Sequence, residues 1–300
     1  MKLLRPRKTA AVLFTAFIAA IITSGCAVFA EADSSKEAAN MSQEEGFEWF
    51  YKSFDDAEAA AYDAFRISAE RPFDGEPVLI KDKSGKKTEI PAGDLETVYQ
   101  GFLYDHPEVF WLSSSYNYRV CSSIGGEETA DAVSVIPIPK AAAELDAMRR
   151  EFDSASEEIL GSTSTAVTDR EKALILYDCL TAGTEYEEEA LYDSALQNEH
   201  TAYGAVCGKK AVCDGIALAY KYLLDRCGIK CILIPGTGEG MPHVWNIVFW
   251  DGKWHESDPS WDTVSKETSS GQYFDLTTAE MSKDHERETE GIALLIPAAE

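Results

Sequence analysis

Three short segments in the last third of the chain carry side chains suited to nucleophilic chemistry. They are a cysteine in AVCDGIALAY (211–220), a histidine in HVWNIVFW (243–250) and an aspartate in WHESDPSWD (254–262). A cysteine becomes a strong nucleophile once it is ionised, an imidazole can take and return its proton near neutral pH, and a carboxylate can fix the imidazole tautomer. Cys213, His243 and Asp258 therefore have the types and order of a nucleophile, a base and an orienting acid for acyl transfer.

The elements around them must bring the three together. Cys213 follows Gly208-Lys209-Lys210 and precedes Gly215-Ile216-Ala217-Leu218-Ala219-Tyr220, so it is expected in the first turn of a helix running from Ala211. Unpaired N–H groups and the helix dipole there favour thiolate. Gly215 leaves room for another element or a substrate close to the sulfur. Strands are expected over 243–250 and 253–258, joined by Asp251-Gly252, a strong two-residue hairpin signal. Pairing Trp250 with Lys253 sets Trp245 opposite Asp258 and His243 opposite Ser260. His243 and Asp258 are then diagonal neighbours on one face, within side-chain reach. Taken singly, each of the three residues also fits a structural role. The shared face is what joins them.

Only 30 residues separate Cys213 from His243, against about 130–150 in papain-type enzymes, so a more compact relative is needed. The segments Gly208–Gly215, His243-Val244-Trp245-Asn246 and Asp258-Pro259-Ser260-Trp261-Asp262 resemble the transglutaminase-like superfamily, particularly its bacterial exported members. The resemblance runs from about Asp169 to Asp284 and includes Thr201-Ala202-Tyr203-Gly204-Ala205 and Tyr273-Phe274; DHPEVFWL (105–112) looks like a segment that precedes this domain in such proteins. It implies an α+β, papain-like core, with a nucleophile helix packed on an antiparallel sheet that carries the His and the Asp. Cys213, His243 and Asp258 match the family triad. The Cys213 N–H is the natural first oxyanion donor. The resemblance implies a second donor from an upstream side chain, for which Tyr203 is the candidate, with a core tyrosine as the other reading. Ile216 stands where relatives often carry an aromatic residue.

The implied activity is attack on peptide or protein amides through a thioester, with hydrolysis of a protease-like kind preferred. Cross-linking by an amine acceptor, a non-catalytic cell-envelope binding module that keeps the fold, and a disulfide-stapled structural domain are the alternatives. The expected partner is a peptide or protein substrate, which includes cell-wall or envelope-associated ones. No cofactor is expected.

Along the rest of the chain, Lys2, Arg5, Arg7 and Lys8 lead into an uncharged apolar run from Ala10 to Ile22, the pattern of an export signal over 1–30. The run is shorter than the roughly 20 residues of a membrane span. Thr23-Ser24-Gly25-Cys26 resembles a lipoprotein box, which would place a lipid anchor on Cys26 at the outer face of the cell membrane. Val28-Phe29-Ala30 fits an ordinary signal-peptidase site and a secreted product. Residues 31–45 read as a flexible tether, 46–165 as a helix-rich α+β region, 166–290 as the transglutaminase-like domain and 291–300 as a tail. Apolar spacing predicts one long helix that starts at Phe47 and is ended by Arg71-Pro72, strands near 116–120 and 132–138, and helices over 95–104, 140–159 and 168–182. The last of these opens with a capping box at Thr168. A further strand, 230–235, is followed by a Gly-rich loop at 236–240.

The formal charge is −25. Without the four leading cations it is −29, a surface that repels nucleic acid and anionic lipid. The membrane enters only through an anchor at Cys26. Six cysteines follow Cys26, and their even number in an exported chain favours a disulfide framework slightly. A free Cys213 would leave at least one other unpaired. A Cys207–Cys213 bridge would silence the site, whereas Cys227 and Cys231 fit core packing. The cysteines, His243 and His255 lack the spacing of a zinc site, and no calcium-loop pattern is present. Trp245, Trp250, Trp254 and Trp261 could line a groove, with core packing as the default.

Overall fold

The computed structural model describes residues 47–121, 128–264 and 271–300. The expected export signal, the tether and Cys26 lie outside the described residues. Among the described residues, no helix is long and apolar enough to cross a membrane.

The single helix expected from Phe47 to Arg71-Pro72 is two helices, α1 (Trp49–Ser53) and α2 (Asp56–Glu70). The break falls at Asp55. Its carboxylate accepts from the backbone N–H groups of Ala57 and Glu58, while the Glu58 side chain accepts from the Asp55 N–H. This capping box starts a new helix inside an unbroken apolar pattern. Short strands β1 (Val78–Leu79) and β2 (Ile90–Pro91) flank the lysine-rich turn. Helix α3 (Leu95–Asp105) stops just before Pro107. Strands β3 (Leu112–Cys121) and β4 (Thr129–Pro137) pair antiparallel, and β4 also pairs with β1 and β2. Next come α4 (Ala142–Gly161) and α5 (Asp169–Gly183), the latter capped by Thr168 as its sequence predicts.

The remaining elements build the neighbourhood of Cys213. β5 (Glu185–Tyr186) pairs parallel with β6 (Lys210–Ala211), which runs directly into α6 (Cys213–Arg226). The helix expected from Ala211 thus starts at Cys213, because Lys210 and Ala211 are held in a strand pair. Strands β7 (Cys231–Gly238), β8 (Met241–Trp250) and β9 (Lys253–Ser257) form an antiparallel meander, followed by α7 (Pro259–Val264), α8 (Thr278–Met281) and β10 (His285–Arg287). The sheet order is β10-β7-β8-β9. Residues 236–238, expected in a loop, belong to β7, and a tight turn at Glu239-Gly240 leads into β8.

Helix α6 packs on β7 and β8, so the fold is α+β, with the helix that bears Cys213 laid on the antiparallel sheet that bears His243. The β8–β9 turn has Asp251 and Gly252 both at positive φ, 51° and 79°, the geometry a two-residue type I′ hairpin demands. Its register pairs Trp250 with Lys253 and Asn246 with Ser257. Packing crosses position 165 freely. One apolar cluster joins Phe65, Phe102 and Phe152 to Leu176, Tyr220 and Leu224, and a second joins Phe50 and Tyr104 to Ala217, Ile232 and Trp245.

The six described cysteines are all free thiols, so the disulfide framework does not form among them. Cys231 is buried, where the Asn246 side-chain amide donates to its sulfur at 3.4 Å. Cys207 carries no bridge to Cys213. Burial and the nearby Glu151 push its thiol up to about 12. Trp245 and Trp250 are core residues, 1% and 2% exposed.

Candidate active site

Cys213 opens α6 and is 7% exposed. The first-turn N–H groups of a helix have no intrahelical acceptor, so the sulfur sits where negative charge is favoured. The segment 198–201 crosses this turn closely. A Cβ built on Gly215 would lie 2.3 Å from the Glu199 carbonyl oxygen and 3.0 Å from that of Thr201, so the room at Gly215 is taken by backbone. Val212 N–H donates to the Glu199 carbonyl. His200 donates to Asp214 at 2.8 Å and to the Ala190 carbonyl at 3.1 Å. Despite partial burial, Asp214 pushes His200 up to about 9, and the charged ring ties residues 190–200 to the start of α6.

His243 lies near the start of β8, 7% exposed, and its Nε2 is 2.7 Å from Asp258 Oδ2. Its side chain is also in hydrogen-bond contact with the Cys213 thiol. Burial works against a charged ring, yet Asp258 and Cys213 together push His243 up to about 10.

Asp258 is fully buried, and its two oxygens have separate sets of partners. Oδ1 accepts from Ser260 N–H at 2.9 Å, Ser260 hydroxyl at 2.7 Å and Trp261 N–H at 3.2 Å. Asp258 is thus the N-cap of α7, with Pro259 at the first helical position, where a missing N–H costs nothing. Oδ2 accepts from His243 and also from His285 Nε2 at 3.0 Å. Burial opposes its ionisation, but the two imidazoles hold the carboxyl well below the usual range.

The structure brings Cys213, His243 and Asp258 together. Tyr203 it places elsewhere: its hydroxyl donates to Glu151 at 2.6 Å and its ring stacks on Phe110. The tyrosine hydroxyl in hydrogen-bond contact with Cys213 belongs to Tyr186, which burial, Cys213 and Asp214 keep firmly protonated. No local pattern singles out Tyr186, because it reaches the thiol only through the parallel β5–β6 pairing beside Cys213. His285 is likewise invisible to local reading, since β10 pairs with β7 from the far end of the chain. His255 pairs instead with Asp275 and stacks on Trp250.

Among the described residues, ligand-type atoms of His243, Asp258 and His285 lie within 4.8 Å of one another. Zinc bonds of about 2.0 Å would hold tetrahedral ligands roughly 3.3 Å apart. The His–Asp distances of 2.7 and 3.0 Å are those of proton-mediated bonds. A cavity of ≈ 450 Å³ opens beside His285, lined by Trp245, Glu256, Met281 and Arg287 among others, but not by Cys213.

No protein-family profile matches the chain. A 77-residue stretch is 26% identical to kyphoscoliosis peptidase of Mus musculus, covering 22% of this chain and 12% of that protein, and the Homo sapiens protein matches equally. The match thus spans only about an eighth of those relatives. Among solved structures, a TGase overlaps 52% of this chain and 47% of its own at 16% identity and a TM-score of 0.35. A candidate cysteine protease from Cytophaga hutchinsonii overlaps 48% and 62% at 13% identity and a TM-score of 0.32.

Proposed function

We propose that the chain is an exported cysteine-dependent acyl-transfer enzyme that hydrolyses amide bonds of peptides or proteins. The observation that carries this reading is the linked arrangement at the start of α6, in which His243 contacts the Cys213 thiol and is bonded at 2.7 Å to buried Asp258. The thiol proton moves to His243. Cys213 Sγ bonds to the amide carbonyl carbon, and the developing oxyanion is met by the Cys213 N–H and the Tyr186 hydroxyl. His243 then gives its proton to the departing amine, the C–N bond breaks and a thioester remains. Water attacks the thioester, His243 takes a proton from it, and the acid product leaves as Sγ recovers its electron pair. An amine in place of water would form a cross-link. Release of fragments from casein, set against incorporation of a dansylated amine into it, distinguishes the two.

Export rests on the basic start and the apolar run of the first 22 residues. The mass of the mature chain recovered from the host reads the cleavage point and any acyl group on Cys26.

The test is the rate of iodoacetamide labelling at Cys213 against pH, followed by peptide mass spectrometry. A His243 held at about 10 keeps its charge throughout the neutral range and stabilises the thiolate. Labelling of the native chain should be fast below pH 7, should keep that enhancement until His243 deprotonates near pH 10, and should lose it in His243→Ala. A rise only near the ordinary thiol value of about 8.5, alike in both proteins, would refute the proposal. Tyr186→Phe removes one donor to the oxyanion and leaves the thiol in place. Its kcat is expected to fall roughly 10²-fold with KM little changed, measured on whichever peptide the native chain cleaves.

A further inference from the structure

We propose that His285 is a positioning residue that shares Asp258 Oδ2 with His243 and thereby limits how firmly Asp258 holds the His243 ring in its charged form. The proposal rests on the acyl-transfer reading of the site. Its geometry is a chain of bonds leading away from the thiol. Asp258 Oδ2 is 2.7 Å from His243 Nε2 and 3.0 Å from His285 Nε2. His285 Nδ1 is 2.6 Å from Asp284 Oδ1, and Asp284 Oδ2 accepts from the Tyr273 hydroxyl at 2.9 Å. Each ring nitrogen of His285 therefore lies within hydrogen-bond distance of a carboxylate oxygen, with Asp258 on one side and Asp284 on the other.

The groups facing His285 are Asp258 beyond β9, His243 on β8, and Asp284 and Tyr273 from the segment before β10; Glu256 and Arg287 line the same cavity. The His285 ring is 3% exposed, packed by Trp261 at 4.2 Å and Trp245 at 5.0 Å between ring centres. The rings of His243 and His285 are 5.3 Å apart, one on each side of the shared carboxylate oxygen. His285 therefore acts on His243 by taking part of the Asp258 oxygen that His243 also uses. A base held less tightly as imidazolium returns its proton to the leaving amine more readily.

The experiment follows the histidine ring signals of the full chain by NMR against pH, assigned by comparing variants. His285→Gln removes the imidazole and offers a neutral amide; His285→Phe keeps an aromatic ring among Trp245, Trp261 and Tyr273 and removes both bonds. In each, the His243 midpoint is expected to rise by about one pH unit. A midpoint that stays put or falls in both variants overturns the proposal. Because this readout follows the His243 ring rather than turnover, it separates failure of this proposal from failure of the acyl-transfer reading, which Cys213 labelling tests.

Discussion

Replacing Cys213 by alanine is expected to remove amide turnover by a factor of about 10⁶ in kcat, the scale on which loss of a triad nucleophile acts. The fold should survive. Cys213 is buried, and its loss deletes one sulfur atom at the start of α6 without touching the capping and strand contacts that hold the helix start in place. The melting temperature should stay within a few degrees of the native value, equivalent to about 1 kcal/mol. Because the residues act as a unit, the double variant Cys213→Ala with His243→Ala should be no slower than Cys213→Ala alone. Cleavage of a labelled casein, with circular dichroism melts run on the same preparations, checks both parts. Turnover that persists in Cys213→Ala would move the chemistry to another residue.

Asp258→Asn should cost about 10⁴ in kcat while sparing α7. Asparagine is as good an N-cap as aspartate, so its oxygen can keep the bonds that Oδ1 makes to Ser260 and Trp261. The other arm fails. An amide NH₂ would face two imidazole nitrogens that now donate to Oδ2, so His243 must adopt another tautomer or lose its partner. Breaking a buried pair this way also destabilises the fold, on the order of 3 kcal/mol.

The pH dependence of that loss has a defined sign. Asp258 is lowered from 3.8, so its contribution is present above about pH 4 and fades as acid approaches its much lower folded value. His243 is raised from 6.5 to about 10, so its contribution is full below about pH 6.5 and is lost as pH rises through 10. The gap in unfolding free energy between the native chain and Asp258→Asn should therefore be widest between about pH 4 and 6.5 and narrow toward pH 10. Urea unfolding at pH 5.5, 8 and 10 measures it. A gap that is constant across this range would mean that the charge pair between Asp258 and His243 does not set it.

The sequence by itself determined those parts of the protein that local rules govern. Asp251-Gly252 is a pair that adopts positive φ readily, and a two-residue turn admits one register, so the approach of His243 to Asp258 followed from counting along two strands. The Thr168 cap was likewise local, and so was the place of Cys213 at a helix start, although the helix begins two residues later than its pattern suggested. The same kind of reading joined α1 and α2, because an apolar stripe continues through Asp55 and only the cap geometry interrupts it.

Tertiary structure decided which side chains complete the site. Tyr186 reaches Cys213 because β5 and β6 pair in parallel across the intervening segment 187–209, a separation that no local period spans. His285 reaches Asp258 because β10 returns to pair with β7, and Tyr203 is drawn off by Glu151 on α4. These contacts join segments with no common period, cap or turn. Their selection depends on the burial of the whole sheet against α6, and a hydroxyl or imidazole in a polar stretch carries no local mark of where that burial will put it.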